Sequence, residues 1–242
     1  EALLRWQIEG GESIPPDQFI PLAEETGLIV PIGEWITYEA CRQISIWNEA
    51  GYSKHPLTIS VNLSVRQLCD RKLIKMIRNV LSETGIKPQW LVLEITESMV
   101  MDSPEEKIRI LEELQSFGIS IAIDDFGTGY SSLSYVRKLP IDILKVDREF
   151  IKDINLDRNG EAIIRAILAL SKSLGLKVVA EGVEEASQVE FLKEIGCDFV
   201  QGFFFSKPLS VIDLERRFKS DWEDCKVSNE IEDEAPLYQV VP

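Results

Sequence analysis

The sequence predicts an α/β protein with a mainly parallel sheet, either closed as a barrel or doubly wound. Apolar runs of strand length alternate with stretches of helical period along most of the chain. The runs are continuous rather than alternating, as in strands covered on both faces. The 242 residues suffice for one such domain with a large core.

Residues 1–8 have strand-like composition, and Gly10-Gly11 and Pro15-Pro16 then break the chain. From 28 to 47, Leu28, Ile32, Trp35, Ile36, Ala40, Ile44 and Trp47 recur with helical period. Residues 57–62 read as a strand, and 70–83 as a helix ended by Gly85. The next strand is 90–96, followed by a helix over 104–117. A strand at 119–124 leads into a short helix at 131–138, stopped by Pro140.

The strand at 141–147 precedes a helix at 160–174 that sets Ile163, Ile164, Ile167, Leu168, Leu170 and Leu174 on one face. Strands at 176–181 and 199–201 flank a helix at 187–195, and a last helix falls near 211–218. The barrel is expected over 1–220; from Asp221 to 242 acids dominate, no apolar period persists, and a mobile tail is expected. Seven strands are counted, whereas a closed parallel barrel wants eight.

A net charge of −15 argues against a nucleic-acid duplex as partner, although bound cations can invert a local field and admit an anionic substrate. Cys41, Cys69, Cys197 and Cys225 are scattered and read as reduced residues of a cytoplasmic protein. The chain has no run of 18 apolar residues and no signal peptide. Membrane segments upstream in a longer parent are compatible with this reading.

The chemistry concentrates where strands end. Asn62, Glu94, Asp124, Lys145, Glu181 and Gln201 are polar residues at or near the ends of six strands, and in a barrel such ends share one face. Polar strand ends are common, and Asp125 could serve simply as a helix cap. Neither accounts for a set this rich in acids, because buried carboxylates are costly without a cation. Carboxylates and an amide are hard oxygen donors, suited to Mg²⁺ or Mn²⁺. The lone histidine, His55, lies in a Lys-His-Pro turn and reads as a surface residue. Adjacent Asp124 and Asp125 can serve two ions, which at roughly 3.5–4 Å apart clamp a phosphodiester for displacement.

Seven motifs carry a resemblance: Glu1-Ala2-Leu3, Asn62-Leu63-Ser64, Glu94-Ile95-Thr96-Glu97, Asp124-Asp125-Phe126-Gly127-Thr128-Gly129, Leu144-Lys145-Val146-Asp147, Ala180-Glu181-Gly182-Val183-Glu184 and Gln201-Gly202. In this order and spacing, over residues 1–219, the chain resembles the EAL-domain cyclic di-GMP phosphodiesterases. The resemblance implies a TIM-like barrel that cuts cyclic di-GMP to linear 5′-pGpG with two Mg²⁺ or Mn²⁺ ions. Glu1, Asn62, Glu94 and Asp124 resemble ligands of the first ion. Asp124 and Asp125 resemble ligands of the second, with Glu181 nearby.

Glu181 resembles the family's general base, and Lys145 the residue that holds the attacking water and steadies the phosphate. Leu3 and Arg5 resemble substrate contacts, and Asp147 a residue that helps hold a guanine. Gln201 resembles a residue that holds a water or completes the metal's surroundings. Glu97 resembles one that anchors the loop 126–132. The resemblance also implies a homodimer and a parent protein with a fused GGDEF or sensory domain.

The family carries another strand, with a Tyr-Gln-Pro pattern, before its Glu-Ala-Leu, and this chain starts at the Glu. Because Glu1 begins its strand while the other ligands end theirs, residues 2–8 are expected to run antiparallel to the rest. The missing first strand is expected upstream, paired to this one by a hairpin, leaving an open seam beside it.

Three other readings compete. A weakly active or inactive cyclic di-GMP receptor would have lost one of these acids, and none is lost. A Schiff-base aldolase needs a desolvated lysine, and Lys145 is ringed by acids. A kinase reading of Asp125-Phe126-Gly127 lacks a glycine-rich loop and a His-Arg-Asp stretch.

Overall fold

The computed structural model describes residues 1–8, 10–101, 104–127 and 137–227. By its contacts the chain divides into two compact units. One holds Glu1–Gly51 with His55–Ile121, and the other Tyr52–Lys54 with the chain from Ala122 on. Parallel strands followed by helices recur in each, the pattern of a TIM-like α/β fold.

In the first unit β1 (Trp6–Gln7) pairs antiparallel with β2 (Ser13–Ile14), Trp6 opposite Ile14. β3 (Ile59–Asn62) pairs parallel with β4 (Leu91–Thr96), setting Asn62 level with Glu94. An antiparallel pair is therefore present, but both its strands lie in the first fourteen residues. Where the chain meets β3 it is parallel: Ala2 bridges Val61, and its N–H donates to Ser60 O at 2.8 Å. The expectation that residues 2–8 form one strand antiparallel to the rest is corrected here. At Ala2 the chain runs with β3, and the antiparallel partner of β1 is β2, the next segment of the chain. Glu1 accordingly lies at the same edge as Asn62, as a metal ligand needs.

Helices cover these strands. Pro15-Pro16 reads as a break, yet Pro16 opens the helix Pro16–Thr26 at a first-turn position where a missing N–H costs nothing. Its Phe19 is buried and meets Trp6 edge-on, with ring centroids 5.6 Å apart. The helix Ile29–Ala50 buries Ile29, Gly33, Thr37, Ala40, Cys41, Ile44 and Trp47. Leu28 and Trp35, which the periodicity set on its apolar face, are exposed at 57% and 58%. Gly33 is small because Gln67 packs directly against it. Gln67 in turn closes a reciprocal cap with Ser64 at the start of the helix Val65–Leu68, which fixes the turn after Asn62.

The second unit carries β5 (Ser120–Phe126) from Ala122 on, β6 (Ile143–Val146), β7 (Lys177–Ala180) and β8 (Phe199–Val200). β6 pairs parallel with both β5 and β7, and β7 with β8. Arg158–Leu174 begins on an Asp157 cap and ends at Gly175. Ala186–Glu194 follows β7. The last helix runs Val211–Val227, past the expected end at 218, so the segment expected as a mobile tail begins inside it. Phe218 stacks on Tyr52 at 5.5 Å, Leu214 is buried, and Arg217 donates to Phe205 O, which together anchor that helix. Residues 228–242, and the expected helix at 131–138 through residue 136, lie outside the described residues.

Candidate active site

In the first unit the parallel register does the positioning. Asn62 is exposed at the end of β3, and its Nδ2 donates to Glu1 Oε1 at 2.7 Å. Beside it Glu94 is 2% exposed, and its backbone carbonyl accepts from Leu63 N–H at 2.9 Å. A buried carboxylate in an apolar strand is costly unless it serves a polar partner or a cation. Glu97 is also buried and opens the helix Glu97–Met101 directly after β4. From residue 128 on, the loop it was expected to anchor lies outside the described residues. Leu3 and Arg5 are exposed, and Arg5 Nη1 rests on Leu4 O at 2.9 Å.

In the second unit the acids gather round an ammonium. Lys145 on β6 is 2% exposed, and its Nζ lies 2.7 Å from Glu181 Oε1 and 3.4 Å from Asp124 Oδ1. Glu181 follows β7 at once and is held there by its N–H on Val146 O at 3.0 Å. Gln201 follows β8, its N–H on Ala180 O at 2.8 Å, and its carbonyl accepts from Val183 N–H. The buried lysine has anionic partners, which satisfies the requirement that a buried charge be paired. It also weakens the aldolase reading, because a Schiff-base lysine sits in an apolar pocket and Lys145 sits between two carboxylates.

Asp125 breaks the regularity of β5. The pairing with β6 shifts between Ile123 and Phe126, and Asp125 takes φ +54°, a conformation uncommon for a residue with a side chain. Its N–H donates to Asp124 Oδ1 at 3.0 Å. Its carboxyl is pushed up to about 6, first by burial, then by the charge of Asp124, a hydrogen bond with Asp147 and the charge of Asp147; Lys145 opposes them. Asp147 caps the helix Arg148–Ile151, its Oδ1 accepting Glu149 N–H at 2.6 Å.

Phe150 went unread in the sequence. Its ring lies against Gly127, which has φ +97° and no room for a Cβ. The turn after Asp125 therefore rests on the short helix after β6. The available signal was an aromatic residue three positions beyond a capping aspartate.

By donor type the residues fit Mg²⁺ or Mn²⁺, being carboxylate and amide oxygens. Among the described residues no three His, Cys, Asp or Glu side chains form a ready-made cage. The donors stand instead as pairs, Glu1 with Asn62 and Asp124 with Asp125. His55 is exposed, and Cys41, Cys69 and Cys197 are free thiols, as expected. Burial pushes the Cys41 thiol up to about 12. Two surface hollows of about 340 and 150 Å³ are lined by residues of Ile29–Ala50 and Leu73–Thr84, the second also by Gln67, Asp70 and Lys72, and by none of the expected site residues. Among the described residues no helix is long and apolar enough to cross a membrane.

Comparison with known proteins matches residues 1–208 to the EAL domain. The bifunctional diguanylate cyclase/cyclic di-GMP phosphodiesterase MucR of Pseudomonas aeruginosa is 48% identical over 209 residues, which is 86% of this chain and 30% of that protein. The cyclic di-GMP phosphodiesterase PdeR of Escherichia coli is 39% identical over 219 residues, 90% of this chain and 33% of that protein. The chain thus spans about a third of the length of these relatives. Among solved structures, the PaMucR phosphodiesterase in complex with c-di-GMP has a TM-score of 0.83 at 47% identity, covering 88% of this chain and 85% of that one. The EAL enzyme Bd1971 in its cAMP-bound form has a TM-score of 0.82 at 31% identity, covering 90% of this chain and 60% of that one. Motif order, strand-end chemistry and these matches agree: the chain belongs to the EAL domain family.

Proposed function

We propose that this chain is a phosphodiesterase domain that hydrolyses cyclic di-GMP to linear 5′-pGpG. The observation that carries the proposal is the Lys145–Glu181 pair, 2.7 Å apart on neighbouring strand ends. An ionised acid held by a buried cation can take a proton from water beside an anionic phosphate. Relatives named as cyclic di-GMP phosphodiesterases, 39% to 48% identical, support the choice of substrate.

In the proposed reaction a water oxygen bonds to phosphorus as its proton passes to Glu181, and the P–O3′ bond breaks with its electron pair going to O3′, which takes a proton from solvent water to become the 3′-hydroxyl. Lys145 keeps Glu181 ionised and offsets the negative charge that grows on the phosphate. Two Mg²⁺ or Mn²⁺ ions, when bound, supply Lewis acidity toward the phosphodiester and the water. We assign Glu1, Asn62, Glu94 and Asp124 to one ion, and Asp124, Asp125 and Glu181 to the other. Gln201 is assigned to a water at that centre. Leu3, Arg5 and Asp147 are assigned to the substrate, Arg5 turning from Leu4 O to a phosphate oxygen. Glu97 steadies the loop after Asp125. The domain is proposed to act as a homodimer in the cytoplasm, within a parent protein that has a GGDEF or sensory domain.

The test incubates the protein with cyclic di-GMP in Mg²⁺, in Ca²⁺ and in excess chelator, and separates the products by chromatography. Linear 5′-pGpG should accumulate in Mg²⁺ alone, because Ca²⁺ accepts longer bonds and misplaces the water. Turnover in chelator would overturn the two-ion assignment. Bound but uncut nucleotide in Mg²⁺ would replace the enzyme with a receptor.

A further inference from the structure

We propose that Gln188 is a positioning residue for Glu181; the inference rests on the function proposed above. Gln188 lies in the first turn of Ala186–Glu194, is 6% exposed, and is seven residues from Glu181 in sequence. Its Oε1 accepts two backbone N–H groups, from Glu184 at 2.8 Å and Glu185 at 3.0 Å. Its Nε2 donates to Ile151 O at 3.1 Å. One buried amide thus fastens the loop after β7 to the helix after β6.

The residues before these anchors are held by backbone contacts. Glu181 itself is tied by its N–H to Val146 O at 3.0 Å. Gly182, at φ +69°, lies against Arg148 so closely that a Cβ would overlap it. On the far side Val183 N–H donates to Gln201 O at 3.0 Å, and its carbonyl accepts Phe204 N–H at 2.9 Å. The loop is therefore gripped at residues 181 to 183 by backbone and at 184 and 185 by one side chain.

That arrangement explains a glutamine in this place. A helix start needs an acceptor for its orphan amides, and Ser, Thr, Asp or Asn at the cap would supply one. None of those reaches a second element as well. Glutamine has an acceptor and a donor at opposite corners of one planar group, so it can hold both the loop and the Ile151 carbonyl. The Lys145–Glu181 spacing depends on β6 and β7 keeping their ends level, and Gln188 joins the two segments that leave those ends. A buried amide with three hydrogen bonds is held in one orientation, and removing it leaves the Ile151 carbonyl and the two loop amides without that partner.

Gln188→Leu keeps the volume and removes all three hydrogen bonds. Gln188→Glu keeps an acceptor for the two amides and loses the donor to Ile151 when ionised. In a cyclic di-GMP assay with Mg²⁺, Gln188→Leu should lose roughly tenfold or more in kcat, with KM near the wild-type value. Gln188→Glu should fall between the two. Backbone hydrogen exchange, read on the same variants without substrate, should speed up at least about tenfold at Glu184 and Glu185 in Gln188→Leu while β6 stays protected. Wild-type protein that turns over no cyclic di-GMP would sink the proposed function, and the exchange result would still decide whether Gln188 holds the loop. Wild-type kcat in folded Gln188→Leu, or unchanged exchange at both amides, overturns the inference. So does a rate loss that only tracks the fraction unfolded by thermal melting.

Discussion

The strand ends of the two units hold their acids in different ways. In the first, Glu1 takes its hydrogen bond from the neutral amide of Asn62. In the second, Glu181 and Asp124 form ion pairs with the ammonium of Lys145, 2.7 and 3.4 Å away. A neutral donor orients a carboxylate and leaves its charge in place for a cation. An ammonium also cancels part of that charge, and so competes with a metal while it keeps the acid ionised. Under the proposed function, the difference would separate two tasks that sequence motifs present as one list of polar residues: gathering a cation, and moving a proton next to an anion.

The sharpest way to break this comparison is to remove charge from the proton-moving pair. Glu181→Gln still accepts a hydrogen bond from Lys145 but cannot take a proton. Its kcat for cyclic di-GMP should fall by about 10²-fold to 10⁴-fold while substrate binding persists. Steady-state kinetics and a binding titration would show it, and near wild-type kcat would remove Glu181 from the mechanism. A smaller effect is expected in the first unit. Asn62→Leu deletes the amide that orients Glu1, and Mg²⁺ affinity should weaken roughly tenfold to a hundredfold. Calorimetry with Mg²⁺ checks this; unchanged affinity would separate Asn62 from the metal.

The smallest effect concerns Asp125 in the metal-free protein. Its pKa is raised from 3.8 to about 6, so the folded chain keeps a proton that the unfolded chain has released. Its contribution to stability is therefore present in full below 3.8 and lost as pH rises through about 6. Asp147→Asn keeps a capping side chain for the helix Arg148–Ile151 and removes one source of the shift. The Asp125 midpoint should move down toward the ordinary carboxylate value in a carbon-detected NMR titration. A midpoint still near that of the wild type would mean that Asp147 does not act on it.

Much of the site was legible because the signal is local. Asn62, Glu94, Asp124, Lys145, Glu181 and Gln201 each stop or follow an apolar run, and the run marks the strand wherever it pairs. Direction was not legible. A strand's pattern reads the same in a parallel and an antiparallel neighbour, so the parallel bridge of Ala2 to Val61 could not be read from residues 1–8. The face of a helix is also hard to read when apolar residues surround it: Leu28 and Trp35 fit the period and lie outside. Asp125 and Gln188 were hidden for another reason. A positive φ at an aspartate and a glutamine with partners on two segments belong to tertiary geometry, and residue type alone does not announce them.

The bridge between Ala2 and Val61 has a consequence in time. It joins residues 59 apart (61 − 2), with the hairpin β1–β2 and two helices in between. Hairpins and helices close on their own within microseconds, whereas distant contacts must wait for the chain between them to settle. The Glu1–Asn62 pair is thus expected to form late during folding, even though Glu1 is the first residue of the sequence. Its lateness costs little at equilibrium, since doubling the length of an intervening loop adds only about 0.6 kcal/mol. Extra residues at the Gly10-Gly11 turn would delay the pair far more than they would weaken it.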